Sequence, residues 1–401
     1  MGGDTKIVVN RMRAIANKLR QRARALLPIQ GFFFDRPVVV LQSDDWGRVG
    51  LRDRQGLEEL QAAGLSLGER PYDFYSLETA QDVGALSQFL KRHRDATGRP
   101  ACLGMNFLSA NLDFAKMAAE DFNQIHLRAL PDGLPDGWQR PGLLEAYREG
   151  VDAGVFYPAL HGQTHFCLPA VEREIVAGGE RSRLLKTLWK AGTPYIYWRM
   201  PWIGYEYWDS ELPSDQGFLS AESQAHAIGA AVGHFARLFS VLPRSACAPG
   251  YRANEDTHKA WARFGVRVAQ NGPGTLTPPH LDAVGLLHLY RTLDFEPALD
   301  NDFSIEACVN AVRECFARHT PAIVSIHSIN FHSSVKDFRS RTLELLDRFL
   351  SELEAKHTDL LYLHDGDVYD LVMSGAYASE SRAVAVSVSK RTFTRSSLAK
   401  H

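Results

Sequence analysis

Four short segments bring acids, imidazoles and a guanidinium to the places where apolar runs end. They are Ser43-Asp44-Asp45-Trp46-Gly47, His161-Gly162-Gln163-Thr164-His165, Ala248-Pro249-Gly250-Tyr251-Arg252 and Ser325-Ile326-His327-Ser328. One carboxylate and two imidazoles make a suitable ligand set for zinc or another borderline divalent cation. Two histidines four apart can face the same way on a helical turn. A second carboxylate beside the ligand carboxylate can take a proton from water that the cation acidifies. A histidine on the opposite rim can protonate a leaving group. Each segment alone has an ordinary reading as well. Adjacent aspartates cap helices. An H-x-x-x-H pair arises by chance in a chain with 15 histidines. A histidine after a strand is usually a hydrogen-bonded structural residue.

The elements that must position these groups alternate along the chain. Residues 37–42 form a β-branched run that reads as a buried strand. Further strands are expected at 101–108, 155–160, 265–270, 284–290, 322–327 and 360–364. Helices are expected at 56–63, 80–94, 141–153, 221–240, 255–264 and 337–356. This alternation argues a parallel α/β architecture, in which reacting groups gather at the carboxyl ends of strands. Pro and Gly clusters at 131–142 and 271–279 read as loops.

The chain has 401 residues, 45% hydrophobic and 23% charged, which suffices for a sizeable core and differs from a disordered polymer. Its formal charge of −2 excludes a uniformly basic nucleic-acid binder. Five cysteines without a C-x-x-C argue against a disulfide framework and for a reducing compartment. Residues 1–30 hold seven Lys or Arg against one acid, and residues 376–401 hold five against one. The first stretch lacks the unbroken apolar region of a secretory signal. Val8, Met12, Ile15, Leu19 and Leu26 fall near one helical face of it. It reads as a basic amphipathic extension, either docked on the domain or lying on an anionic membrane through residues 1–28. The Ser- and Ala-rich tail has no period and is expected to be disordered. No run is long enough to span a bilayer. The expectation is a cytoplasmic protein, which the membrane-bound alternative for residues 1–28 would place at the inner face of the membrane.

The order of the four segments resembles that of the polysaccharide deacetylases, the nodulation-type or carbohydrate esterase family four group. The resemblance covers roughly Pro37 to Leu371. It is narrower with a branch found among bacterial surface-polysaccharide genes, where D-D-W-G forms the first motif. Here Phe156-Tyr157-Pro158 precedes His161, and Asn330-Phe331 follows His327, as in that branch. The resemblance implies a distorted (β/α)7 barrel over 31–375, with an aromatic-rich insertion at 195–240 and basic extensions at 1–30 and 376–401. It implies hydrolysis of N- or O-acetyl groups on sugars, using one divalent metal, zinc first among the candidates. Asp45, His161 and His165 would ligate the metal. Asp44 would be the general base and His327 the general acid. The backbone N–H of Tyr251 would help hold the oxyanion.

The sequence departs from the family pattern at two points. The third motif places an arginine two residues before its proline, to orient the base, and here that slot is Cys247. Arg252 is the expected substitute. Arg199, in Arg199-Met200-Pro201-Trp202, mimics the pattern but lacks the helix and strand that follow Arg252. The acid that tunes His327 is not identifiable, and Asp294, Glu296, Asp300 and Asp302 all stay open. Residues 195–208 hold seven aromatics in 14 positions. They read as a sugar-stacking lid, or as a patch packing the insertion onto the barrel. Trp46, Trp202, Tyr205 and Glu206 are the expected substrate contacts. His364-Asp365 reads as a structural rim pair and His332 as a supporting residue. The expected substrate is an amino sugar, nucleotide sugar or lipid-linked saccharide of surface-polysaccharide assembly, with no nucleic acid. Its rivals are an allantoinase-like hydrolase of linear or cyclic amides and a noncatalytic sugar-binding relative.

Overall fold

The computed structural model describes residues 28–195, 200–272, 276–379 and 382–394. The basic stretch 1–27, Arg199 and the chain end from 395 lie outside the described residues. The strands are β1 (Ile29–Phe34), β2 (Val38–Trp46), β3 (Leu103–Leu108), β4 (Ala110–Leu112), β5 (Leu127–Ala129), β6 (Phe156–Gly162), β7 (Ser245–Cys247) and β8 (Val268–Asn271). They continue with β9 (His280–Leu281), β10 (Leu287–Tyr290), β11 (Leu293–Asp294), β12 (Ala322–His327), β13 (Leu361–Tyr362), β14 (Ala376–Ser379), β15 (Arg382–Ala385) and β16 (Val388–Phe393).

One curled sheet runs in the order β11-β12-β2-β3-β6-β7-β8-β10-β9-β1-β16, with β13 also paired to β2. From β11 to β10 every pairing is parallel, and β9, β1 and β16 extend the sheet antiparallel. No ladder joins β10 to β11 among the described residues, so the distorted barrel stays open there. The expected parallel α/β barrel is therefore what the chain forms.

The period-2 alternation of strands divides each barrel strand into two sets. Val39, Leu41, Leu103, Met105, Val324 and Ile326 face outward into a large cluster beneath the surrounding helices. Val38, Val40, Val268, Leu287, Leu289 and Ile323 face inward and close the amino end of the barrel. Continuing up the inward set, the residues change from apolar to polar. Gln42, Ser245, Gln270 and Ser325 form a middle layer, and Asp44, Asn106 and His161 lie above it, all buried. The apolar layer lies beneath the polar residues of the reactive end and separates them from the amino end.

Helices Ala80–Leu90, Leu143–Asp152, Ala221–Phe239, Glu255–Arg263 and Arg339–Lys356 lie close to their expected positions. Helices Leu168–Ala177, Glu180–Lys190 and Ile305–Ala317 are among the additions to the expected set. The expected insertion at 195–240 is shorter than its bounds. Its second half is the helix Ala221–Phe239, whose Ile228, Ala231, Val232 and Phe235 pack on the barrel wall. The tail also differs from expectation, since β14, β15 and β16 occupy much of 376–394. β16 pairs along the whole of β1, and Tyr377 and Val386 are buried with Phe32 and Phe34. Its Val-x-Val alternation is a strand signal that the Ser-rich composition masks. Among the described residues, no helix is long and apolar enough to cross a membrane.

Deleting residues 376–401 should therefore lower the urea unfolding midpoint, because it exposes β1 and opens the amino end of the barrel. An unchanged midpoint would show that the tail is not part of the folded unit.

Candidate functional site

Asp44 and Asp45 sit at the carboxyl end of β2, where the register with β3 shifts between Ser43 and Trp46. Consecutive residues of a regular strand point to opposite faces. The shift, together with a left-handed backbone at Asp45 (φ 75°), turns both carboxylates into the barrel mouth. Aspartate tolerates this conformation better than most residues. Neighbours hold the distorted segment. The buried Glu78 accepts from the Gly47 N–H at 2.9 Å and also bonds Tyr147 and His332. Asn111 bonds both the Gly47 carbonyl (2.9 Å) and the Val49 N–H (3.0 Å). Tyr75 donates to the Asp45 carbonyl at 2.9 Å.

Asp44 is 2% exposed and gripped on both oxygens by Arg291, at 2.6 and 2.7 Å. Arg291 follows β10 directly and is itself fully buried. Asn106 adds a 2.6 Å bond to Asp44 Oδ1. Burial would raise the Asp44 pKa, but the Arg291 charge, helped by His161 and His327, holds it far below the usual carboxylate range. Arg291 thus does what the sequence reading gives to Arg252. Arg252 instead lies exposed, its guanidinium over the rings of Trp208 (4.6 Å) and Tyr205 (5.7 Å). Cys247, in the motif slot, lies 3.9 Å from Arg291 Nη2. Its small side chain leaves space for a guanidinium arriving from β10.

Asp45 Oδ1 faces His165 Nε2 at 3.3 Å and His161 Nε2 at 3.7 Å. The three residues form a group able to hold a metal ion. Tetrahedral zinc with bonds of about 2.0–2.2 Å sets its ligand atoms roughly 3.3–3.5 Å apart, close to these spacings. The donor chemistry also fits. His161 Nδ1 lies 2.9 Å from the Cys247 carbonyl, so that nitrogen carries the proton and the lone pair sits on Nε2. That Nε2 is buried with no hydrogen-bond partner. Burial lowers both imidazoles, and for His165 burial with Arg48 brings the pKa to about 3. Both are therefore neutral, as ligands must be. Asp45 Oδ1 also accepts from Arg48 at 2.8 Å, which leaves it one lone pair for a cation.

The 161–165 turn is held by Glu206. Its carboxylate accepts from the N–H groups of Gln163 (3.0 Å) and Thr164 (3.3 Å). Gly162, at φ 105°, passes so close that a Cβ would run into that carboxylate. Burial raises the Glu206 carboxyl to about 7 despite these bonds. The expected substrate contact is thus a buried positioning residue. Trp46 and Trp202 are also fully buried. Trp46 stacks on Phe331 and Trp202 packs in the main core, because the aromatic segment anchors the insertion. Of the expected substrate contacts only Tyr205 is half-buried, edge-on to Trp208 at 4.9 Å.

On the strand beside β2, His327 ends β12 as the register partner of Asp44, with Nε2 4.0 Å from Asp44 Oδ2, so it lies next to the base and not on the opposite rim. Its Nδ1 lies 2.6 Å from Glu296, which also accepts from the His327 N–H and from Asn330. Glu296 is one of the four acids left open by the sequence. Burial pulls His327 down, but Glu296, Asp44 and Asp45 outweigh it and hold the pKa at about 9. The Tyr251 N–H is engaged by the Ala248 carbonyl at 2.8 Å, not free for an oxyanion. Its hydroxyl instead accepts from Arg291 at 2.7 Å and lies 3.4 Å from Asp44. Asp365, expected on the rim, is inside the barrel, accepting from Gln42, Ser245 and Gln270 at 2.6–2.7 Å.

No protein-family model matches the sequence, and no curated protein matches it. Solved structures align with much of the chain at low identity, with TM-scores below 0.5. A Mycobacterium smegmatis protein assigned as a polysaccharide deacetylase is 12% identical over 84% of this chain and 91% of its own, with a TM-score of 0.46. A family 4 carbohydrate esterase from Streptomyces lividans is 12% identical over 82% and 91%, with a TM-score of 0.33. A CE4 family pseudoenzyme from Bacillus anthracis is 11% identical over 84% and 66%, with a TM-score of 0.37. At such identities and TM-scores the functional reading rests on the residues.

Replacing Arg291 by alanine leaves Asp44 buried and unpaired, which should cost about 3–5 kcal/mol of stability. Equilibrium urea unfolding measures this. A loss below about 1 kcal/mol would mean that Asp44 does not depend on Arg291.

Proposed function

We propose that the protein is a metal-dependent hydrolase that removes an N-acyl group, acetyl first, from an amino sugar or saccharide precursor of surface-polysaccharide assembly. The observation that supports it best is the meeting of three units at one barrel mouth. These are the Asp45–His161–His165 group, the Asp44–Arg291 pair and the His327–Glu296 pair. The sugar assignment draws on the motif resemblance. It also draws on Tyr205, whose ring packs against the Gly250 backbone beside the Tyr251 turn.

A divalent cation held by Asp45, His161 and His165 would supply Lewis acidity to an acyl carbonyl and to water. Asp44 accepts the proton of the attacking water, and Arg291 fixes the direction of its lone pairs. Asp44 stays ionised at every working pH, so it is always in the accepting form. His327 donates from Nε2 to the departing amine, which leaves poorly unless protonated. Glu296 holds Nδ1–H and stabilises the imidazolium. Glu206 keeps the two imidazoles apart at their spacing by bonding the turn between them.

The sign of the pH dependence follows. His327 must be protonated and its pKa is raised, so activity is full at neutral pH and falls as pH rises through about 9. A bound cation adds positive charge and moves this limb lower. No acid limb from Asp44 is expected in the working range. Glu296→Gln should move the alkaline limb down, since it removes the charge that lifts His327. The pH profile of kcat/KM on an N-acetyl sugar checks this. An unmoved limb would take His327 out of the acid role.

Asp44→Asn should keep its metal yet lose at least about 10²-fold in turnover. His327→Ala should lose turnover of the amide far more than of an aryl acetate, whose leaving group departs as an anion. Assays of both variants on both substrates, with metal content measured, test the division of labour. Equal losses in His327→Ala with an active Asp44→Asn would reverse it.

One observation favours the noncatalytic reading. Arg48 pairs with the same Asp45 oxygen that faces both imidazoles. Protein that takes up no divalent metal at the triad, and hydrolyses no amide in a screen of N-acyl sugars, would support that reading instead.

A further inference from the structure

The geometry points to a second divalent-metal site, formed by His258, Asp282 and His288 on the outer face of the barrel. The three come from different elements: helix Glu255–Arg263, the turn after β9, and β10. They form a group able to hold a metal ion, separate from the residues of the barrel mouth. His288 lies between Leu287 and Leu289 on β10, both of which point into the barrel. Its ring therefore points outward, where helix Glu255–Arg263 covers it.

The turn presents its carboxylate ready-made. Asp282 Oδ1 accepts from the N–H groups of Val284 and Leu286, each at 2.9 Å. This fixes Oδ2 toward the two imidazoles, 3.1 Å from His288 Nε2 and 3.6 Å from His258 Nδ1. Those separations bracket the roughly 3.3–3.5 Å expected between ligands of a tetrahedral zinc ion. They match the 3.3 and 3.7 Å of the Asp45 group. The rings are held as well. His288 stacks on His280 at 5.3 Å, and His258 stacks on Trp261 at 5.8 Å. The second His288 nitrogen lies 3.3 Å from the Asn271 amide.

Two imidazoles and one carboxylate select borderline transition metals, zinc, nickel or copper, over magnesium or calcium. Asp282 and His258 are about one-fifth exposed at their side chains, while His288 is 7% exposed. A fourth position therefore opens to solvent, and water would fill it. A metal here ties the helix and the β9–β10 turn to the strand that leads into Arg291. Its effect is to stabilise this edge of the barrel, because an ion bound only by the folded state adds to stability by mass action.

The test uses the full chain and zinc alone, in equilibrium dialysis with elemental analysis. The double variant His161→Ala/His165→Ala removes the triad at the barrel mouth and should still bind about one equivalent. Adding His258→Gln should weaken that binding at least ~100-fold, and should abolish the rise in thermal midpoint that zinc gives the double variant. An equivalent that survives His258→Gln unchanged would overturn the site, as would a folded double variant that binds none. Because the first site is absent from this background, a failure of the catalytic metal reading does not affect the result. Should the variants fail to fold, anomalous diffraction from zinc-soaked wild-type crystals decides. A peak among His258, Asp282 and His288 supports the site, and its absence at millimolar zinc overturns it.

Discussion

The buried ion pair between Asp44 and Arg291 is the contact on which the rest of the barrel mouth depends. A charged pair enclosed by protein costs several kcal/mol per ion in desolvation, and this is tolerable only when both partners are fully hydrogen-bonded. Here that condition is met by the inward residues of the barrel. Arg291 also bonds Gln42, Ser325 and Gln270, at 3.0–3.2 Å. Gln270 links to Asn106 and to Asp365, and Asp365 closes the network below. The barrel centre is polar because the pair must be solvated by something, and the apolar layer beneath it excludes water from doing so. A network of this kind holds one arrangement firmly, since any unpaired member would be costly.

The two aspartates divide because their surroundings differ. Asp44 is matched to a guanidinium from the strand opposite and faces His327. Asp45, one residue on, is turned by its left-handed backbone toward the imidazoles of β6 and its following turn. The supports are carboxylates in both cases. Glu78 holds the backbone after Asp45, Glu206 holds the turn between the imidazoles, and Glu296 holds His327. Each of these acids accepts from at least one backbone N–H, so position is transmitted through the main chain as well as through side chains.

Much of this was legible in the sequence, and the remainder was hidden for identifiable reasons. The strand-end rule located Asp44, Asp45, His161, His165 and His327, because an apolar run followed by polar residues marks where a barrel strand opens. The same rule applied to the strand expected at 284–290 would have reached Arg291. The motif slot at Cys247 points to a different loop, because a guanidinium can reach the same carboxylate from a different strand. Small Cys247 was itself the clue that the volume is filled from elsewhere. Glu296 could not be separated from three nearby acids, since spacing does not say which faces His327. The aromatic segment divides between wall and surface in a way that composition does not show. Trp202 and Tyr207 have the composition of a sugar platform but are buried, which only packing reveals. The last strand, β16, is hidden because it pairs with β1, more than 350 residues away in sequence, while β14 and β15 pair with each other.

The central claim is that the metal belongs to Asp45, His161 and His165 while Asp44 stays with Arg291. A competing group exists in the same mouth, since Asp44, His161 and Cys247 could also ligate one ion. The two differ by a sulfur. X-ray absorption at the zinc edge of the zinc-loaded protein separates them. The account predicts a ligand shell of nitrogen and oxygen only, at about 2.0–2.2 Å. A sulfur at about 2.3 Å would contradict it, because Cys247 would then be a ligand and Asp44 would have left Arg291 for the metal.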